Sequence, residues 1–232
     1  MTKQKNFPLE DVYAALTPAI RALAIRGVVR SYAKKTILIN EGDAGDSLFV
    51  LLKGSVKAYA MDASSREITY GVIPSGDYFG EMSLDGGPRS ASIMTLEPCI
   101  CAVLTRRDVA EHLSAQPEFA LDLVVKVIHR ARAATEVARS MALLDVYSRM
   151  AAVLQEGLNA EHYSPLPKRK NQTEQPALIK PHVLACTHLD IASRIGASRE
   201  AISRILKQLE HSGHVILSSK RITLLKKLPV PL

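Results

Sequence analysis

The chain is 232 residues long, 47% hydrophobic, and carries a formal net charge of +7. That composition lies far from the disordered regime, and no apolar run approaches the roughly 20 residues of a membrane span, so unstructured and membrane-spanning classes are excluded. Met1 to Phe7 are polar, and Cys99, Cys101 and Cys186 are too sparse and odd a set for a disulfide framework, so a soluble cytoplasmic protein is expected.

The charge is not spread evenly. Residues 1–145 hold 17 Lys and Arg against 17 Asp and Glu, whereas residues 146–232 hold 13 against 6. The C-terminal part carries the whole excess and suits a polyanion.

Taken in chain order, residues 8–26 mix apolar and polar positions at helical spacing after Pro8, a good first-turn residue. Short β-branched stretches follow at 36–40, 47–52, 55–60, 68–73, 91–96 and 100–104. Turn signals such as Gly42-Asp43, Lys53-Gly54 and Pro74-Ser75-Gly76 separate them, which predicts an antiparallel sandwich or roll. From Pro117 to about Met141 the pattern becomes helical. Leu121, Val124, Ile128, Ala131, Thr135, Ala138 and Ala142 recur at steps of 3 and 4, a narrow stripe that predicts a coiled-coil dimer seam. A second helix is predicted over Val146–Leu158. Residues 159–186, with Pro165, Pro167, Pro176, Pro181 and the basic cluster Lys168-Arg169-Lys170, read as a mobile surface connection.

Two motifs carry chemistry. The first runs Gly80-Glu81-Met82-Ser83-Leu84-Asp85-Gly86-Gly87-Pro88-Arg89-Ser90. Backbone amides of a short turn can face an anion, Arg89 can pair with it bidentately, Ser90 adds a donor, and Glu81 accepts from sugar hydroxyls. A hairpin turn with a surface Arg–Glu pair fits the same residues. The second motif is Thr187 to Glu210. Thr187 caps a helix with Asp190 three residues on, Gly196 ends it, and Ser198 caps the next helix. Arg199, Glu200, Ser203 and Arg204 lie on the outer face of that second helix. Arg199, Glu200 and Arg204 fall within about 140° of one another, where a recognition helix meets base edges. Arg matches the acceptors of guanine and Glu the amino group of cytosine. Val215–Leu217 and Ile222–Leu225 read as a two-stranded wing whose tip can touch phosphate.

With these residues in view, the chain resembles the Crp/Fnr family from about residue 18 to 226. The match is strongest at Gly196-Ala197-Ser198-Arg199-Glu200 and Arg204-Ile205-Leu206-Lys207, and it includes the hinge-like Met141 to Val146. The resemblance implies an α+β fold in three parts. Residues 1–116 form a cyclic-nucleotide-binding β-roll of jelly-roll type, 117–144 a long dimerisation helix, and 145–232 a winged helix-turn-helix. It implies a ligand site of Gly80, Glu81, Met82, Arg89, Ser90, Arg130 and Thr135. It implies DNA contacts from Thr187, Ser198, Arg199, Glu200, Ser203, Arg204 and Lys207. The implied partners are palindromic TGTGA-like half-sites in double-stranded DNA, a second copy of the chain, and RNA polymerase; no enzymatic activity and no membrane association are implied. The loop from Glu81 to Arg89 is shorter than in typical members, and Ala134 stands where a hydroxyl helps to hold adenine. Cyclic AMP is the expected effector; the alternatives are cyclic di-GMP and a ligand-independent regulator of the same family whose roll is only a scaffold. With no cysteine before Cys99, the iron–sulfur branch of the family does not apply. His162, His182, Cys186 and His188 are irregularly spaced, and no metal is expected. A non-DNA reading, a cyclic-nucleotide module acting through protein partners, predicts a neutral C-terminal part, contrary to the charge found there.

Overall fold

A computed structural model describes residues 12–13, 16–63, 66–156, 182–226 and 228–229. The expected helix start at Pro8, the polar terminus Met1 to Phe7, residues 159–181 of the connection and His162 lie outside the described residues.

Among the described residues the N-terminal part has eight strands: β1 (Val28–Tyr32), β2 (Ile37–Ile39), β3 (Ser47–Lys53), β4 (Ser55–Met61), β5 (Glu67–Pro74), β6 (Tyr78–Phe79), β7 (Ser92–Thr95) and β8 (Cys99–Thr105). They form two four-stranded sheets, ordered β1-β8-β3-β6 and β2-β7-β4-β5. Side chains on a strand alternate between faces, and β3 and β8 use both faces. Leu48, Val50, Leu52, Ile100, Ala102 and Leu104 pack beneath helices. Phe49, Leu51, Cys99 and Cys101 point the other way, into a core with Ile39, Val56, Ile73, Phe79 and Ile93. Burial pushes the Cys101 thiol up to about 12, in keeping with a core residue.

The helices over this roll are α1 (Pro18–Ala24), α2 (Arg106–Ala115) and the start of α3 (Glu118–Leu143). Thr17 caps α1. Thr105 and Asp108 close a capping box on α2. Phe119 of α3 is buried against Tyr78 and edge-on to His112.

The C-terminal part contains α4 (Val146–Glu156), β9 (His182–Leu184), α5 (His188–Ile195), α6 (Arg199–His211), β10 (Val215–Ser218) and β11 (Arg221–Leu224). Its core gathers Met150, Leu154, Ile191, Ile195, Ile202, Leu206, Leu209 and Ile222. Among the described residues the chain forms two compact units. One lies within Met1–Ala60 and Gly71–His129, the other within Met61–Tyr70 and Arg130–Leu232.

The structure amends the sequence reading in three places. β1 and β6 were not expected, because one is a largely exposed strand and the other has two residues. The helical region begins at Arg106, with α2 separate from α3. Residues 182–184, expected within the connection, form a strand pairing with β11, so the wing sheet has three strands in the order β10-β11-β9. Of the helix expected over Val146–Leu158, residues 157–158 lie outside the described residues.

Candidate nucleotide pocket and nucleic-acid interface

The first motif forms a loop leaving β6. Gly80 has φ of 88°, a left-handed conformation that glycine adopts without strain, and it opens a 3-10 turn over Glu81–Ser83. A Cβ at Gly80 would meet the Ser47 carbonyl oxygen at 2.8 Å. At the far end of the loop, Arg89 is held by backbone bonds to the 42–43 turn, its N–H donating to the Asp43 carbonyl at 2.9 Å and its carbonyl accepting from Gly42 at 2.9 Å.

These constraints fold Arg89 inward until its side chain is 7% exposed. Its Nη1 donates to the Ser47 carbonyl at 2.9 Å, the Gly80 carbonyl at 3.0 Å and the Ser83 hydroxyl at 2.7 Å. All of these bonds leave from one nitrogen. The Nε–Nη2 edge, the one that fits an anion in bidentate fashion, makes no hydrogen bond among the described residues. Gly45 packs closely against Arg89: a Cβ at that position would overlap Nε and Nη2, so this approach requires glycine. Burial lowers the Arg89 pKa, and the charges of Asp46 and Glu81 act the other way. Glu81 is 4% exposed, Met82 is exposed, and the exposed Ser90 hydroxyl donates to the Met82 sulfur at 3.4 Å.

The loop therefore brings Gly80, Glu81, Met82, Arg89 and Ser90 together. Arg130 and Thr135 belong to the other compact unit, on the C-terminal part of α3. Thr135 is exposed, its hydroxyl donating to the Ala131 carbonyl at 2.9 Å. Sequence reading missed Ser83 and Gly45. The signal for Ser83 was its place three residues after Gly80, in a turn that aims its hydroxyl at Arg89; Gly45 had no local signal.

Along α3, Phe119 and Leu123 face the roll. The expected seam lies bare in the single chain: Leu121 is 66%, Val124 52% and Ile128 41% exposed, and Ala131, Ala138 and Ala142 are exposed too. Val125 and Val127 widen this apolar strip.

In the C-terminal unit, Asp145 caps α4 by accepting from the Ser148 N–H at 2.7 Å, and hydrogen bonding from the Ser148 side chain, then from its backbone, holds the carboxyl below the usual range. Arg149 bridges the Leu144 carbonyl, at 2.7 Å, and the Ile195 carbonyl at the end of α5, at 3.1 Å. Gly196 then turns the chain with φ of 64°, where a Cβ would meet Met141 at 2.8 Å. Thr187 and Asp190 close a full capping box on α5, and the Ser198 hydroxyl accepts from the Ala201 N–H at 3.1 Å to start α6.

Of the seven residues expected to touch nucleic acid, Arg199, Glu200, Arg204 and Lys207 present exposed side chains around one groove, with half-buried Ser203 between them. The three hydroxyl residues are engaged locally: Thr187 and Ser198 in caps, and Ser203 with His188 Nδ1 at 2.8 Å. Lys220 sits at the wing tip with φ of 58°. Leu217 N–H donates to Glu210 Oε1 at 3.0 Å, tying the wing to α6. Among the described residues, no three His, Cys, Asp or Glu side chains are placed to hold a metal, and no helix is long and apolar enough to cross a membrane.

Comparison with known proteins finds two family matches. Residues 29–116 match the cyclic nucleotide-binding domain, and residues 148–227 the Crp-like helix-turn-helix domain. The cAMP-activated global transcriptional regulator Vfr of Pseudomonas aeruginosa is 30% identical over 196 residues, 82% of this chain and 86% of that protein. The cAMP-activated global transcriptional regulator CRP of Pasteurella multocida is 29% identical, over 84% of this chain and 88% of its own. In fold, the chain is similar to the c-di-GMP responsive global regulator CLP of Xanthomonas campestris, with a TM-score of 0.73, 24% identity, and coverage of 89% of this chain and 98% of the other.

Proposed function

The chain belongs to the Crp/Fnr family of DNA-binding transcription regulators, and from that premise we propose that it binds a palindromic site as a homodimer under control of cyclic AMP. Residues 1–116 take the nucleotide, 117–144 pair two chains, and 145–232 read DNA. The observation that carries the ligand half is Arg89, buried and tied through Nη1 while its bidentate edge stays available. A cyclic phosphate docks on that edge and on Ser90, the ribose hydroxyl on Glu81, and the base against Arg130 and the partner's Thr135. Arg199, Glu200 and Arg204 read a TGTGA-like half-site, and Lys207 meets phosphate. RNA polymerase is the downstream partner of such a regulator.

The ligand acts by preferring one of two arrangements of the α3–α4 hinge at Asp145, the one that spaces two α6 helices about 34 Å apart for successive major grooves. Cyclic AMP is favoured because the regulators CRP and Vfr, similar over most of this chain, are cAMP-activated. The short Glu81–Arg89 loop and Ala134 weaken the assignment to cyclic AMP, and cyclic di-GMP is the second reading. Isothermal titration with each nucleotide, followed by a gel shift on a palindromic duplex with and without it, tests both. Heat from cyclic AMP with tightened DNA binding is expected; heat from cyclic di-GMP alone moves the assignment to the second reading. Heat from neither, with DNA binding intact, makes the roll a scaffold and overturns the ligand reading.

A further inference from the structure

The same compact unit that holds the loop contains a contact that the ligand reading leaves unused. Lys126 lies on α3 two turns beyond Phe119, on the helix face turned towards the roll, and is 16% exposed. Its ammonium pairs with Asp77 Oδ1, donates to the Tyr78 carbonyl at 2.7 Å, and sits 3.6 Å from the centroid of the Tyr78 ring. Phe119 meets the same ring at 5.8 Å between centroids. One helix face thus grips the backbone, ring and preceding carboxylate of a single position, Tyr78.

That position leads directly into the ligand loop. Tyr78 and Phe79 form β6, and Phe79 stacks on Phe49 of β3 at 5.1 Å. The next residue, Gly80, offers the carbonyl to which Arg89 Nη1 donates. The route from guanidinium to ammonium therefore crosses three consecutive residues, each pinned by its own contact. A shift of Gly80 when an anion draws on Arg89 reaches Tyr78 two residues back along the chain, and Lys126 on α3 holds Tyr78. The Lys126 ammonium is mostly buried although Asp77 is 38% exposed, so losing the contact leaves the ammonium poorly solvated. Lys126 also sits between Val124 and Ile128 in sequence, so a rotation imposed there reorients the exposed strip of α3.

We propose that Lys126 is a positioning residue that transmits occupancy of the Gly80–Ser90 loop to the long helix. This rests on the functional reading above, deepens it, and assigns no ligand contact to Lys126.

The test is hydrogen–deuterium exchange on the full-length protein, alone and with saturating cyclic AMP, with cyclic di-GMP in a parallel arm. In the wild type, the nucleotide that binds slows exchange both at residues 78–90 and along residues 120–130 of α3. In Lys126→Met, which keeps the apolar stem and removes the charge, slowing persists at 78–90 and its effect on α3 falls about tenfold, the size of an ordinary coupling between sites. Lys126→Arg retains both effects, which separates positioning from mere packing. Persistent slowing at 78–90 shows in the same measurement that Lys126→Met is folded. Undiminished α3 slowing in Lys126→Met overturns the inference, as does a wild type in which the loop responds and α3 does not. A wild type in which neither nucleotide slows residues 78–90 overturns the functional reading instead.

Discussion

At the scale of single residues, Arg89 separates two meanings of a buried charge. A structural ion pair would use the whole fork, whereas this guanidinium spends one nitrogen on the protein. Arg89→Ala should lower nucleotide affinity by about 2–5 kcal/mol, the usual cost of truncating one partner of a buried charged contact, with the fold intact by circular dichroism. Unchanged affinity in titration would place the phosphate elsewhere. Arg199 and Glu200 carry the matching prediction on the DNA side: replacing either with Ala should relax preference at one base position by about 1–3 kcal/mol, read by competition between duplexes. His112 tests the roll itself. It is 2% exposed, and burial, reinforced by the charge of Arg26, lowers its pKa. The unfolded chain takes up this proton near pH 6.5, and the folded one only at lower pH. The stability it contributes is therefore complete above about pH 6.5 and is lost as pH falls through the folded value. His112→Leu should flatten that part of a melting-temperature profile, and an unaltered slope would assign the acid sensitivity to other groups. His112 also explains a misreading: a buried histidine in the middle of α2 interrupts the apolar spacing by which a helix is recognised.

At the scale of elements, α3 is two-sided. Its 119–126 face is occupied by the roll, and its 121–128 strip is exposed among the described residues. Long apolar side chains at 66%, 52% and 41% exposure on successive turns argue for a second helix rather than solvent. Ile128→Glu places a charge where a lone chain has water and a pair has a seam. Sedimentation should then show a monomer that still binds nucleotide, and a dimer of unchanged affinity would remove α3 from the interface. The helix-turn-helix was legible because its punctuation is local: Thr187 with Asp190, Gly196 and Ser198 each act within three or four residues. Thr187→Ala should cost about 1 kcal/mol of the stability of the C-terminal unit, measured by denaturant melting. β1 and β9 were not legible for the opposite reason. Each is short, and each becomes a strand through its distant partner, β8 or β11.

At the scale of the whole molecule, the charge asymmetry becomes a measurable quantity. DNA binding by the basic C-terminal part releases counterions, and Lys207→Ala should reduce the slope of log affinity against log salt by about 1 while weakening all sequences alike. An unchanged slope would mean that Lys207 meets no phosphate. Composition, turn spacing and helical caps by themselves determined the order of parts, the β-roll, the recognition helix and the candidate loop, because those signals depend on neighbours a few residues apart. Tertiary structure alone decided how the loop works. Ser47, Gly45 and Ser83 act on Arg89 across up to 44 positions of sequence, and Lys126 reaches Tyr78 across 48. Such contacts exist only once two sheets and a helix have closed around a shared core, and local sequence patterns carry no record of them.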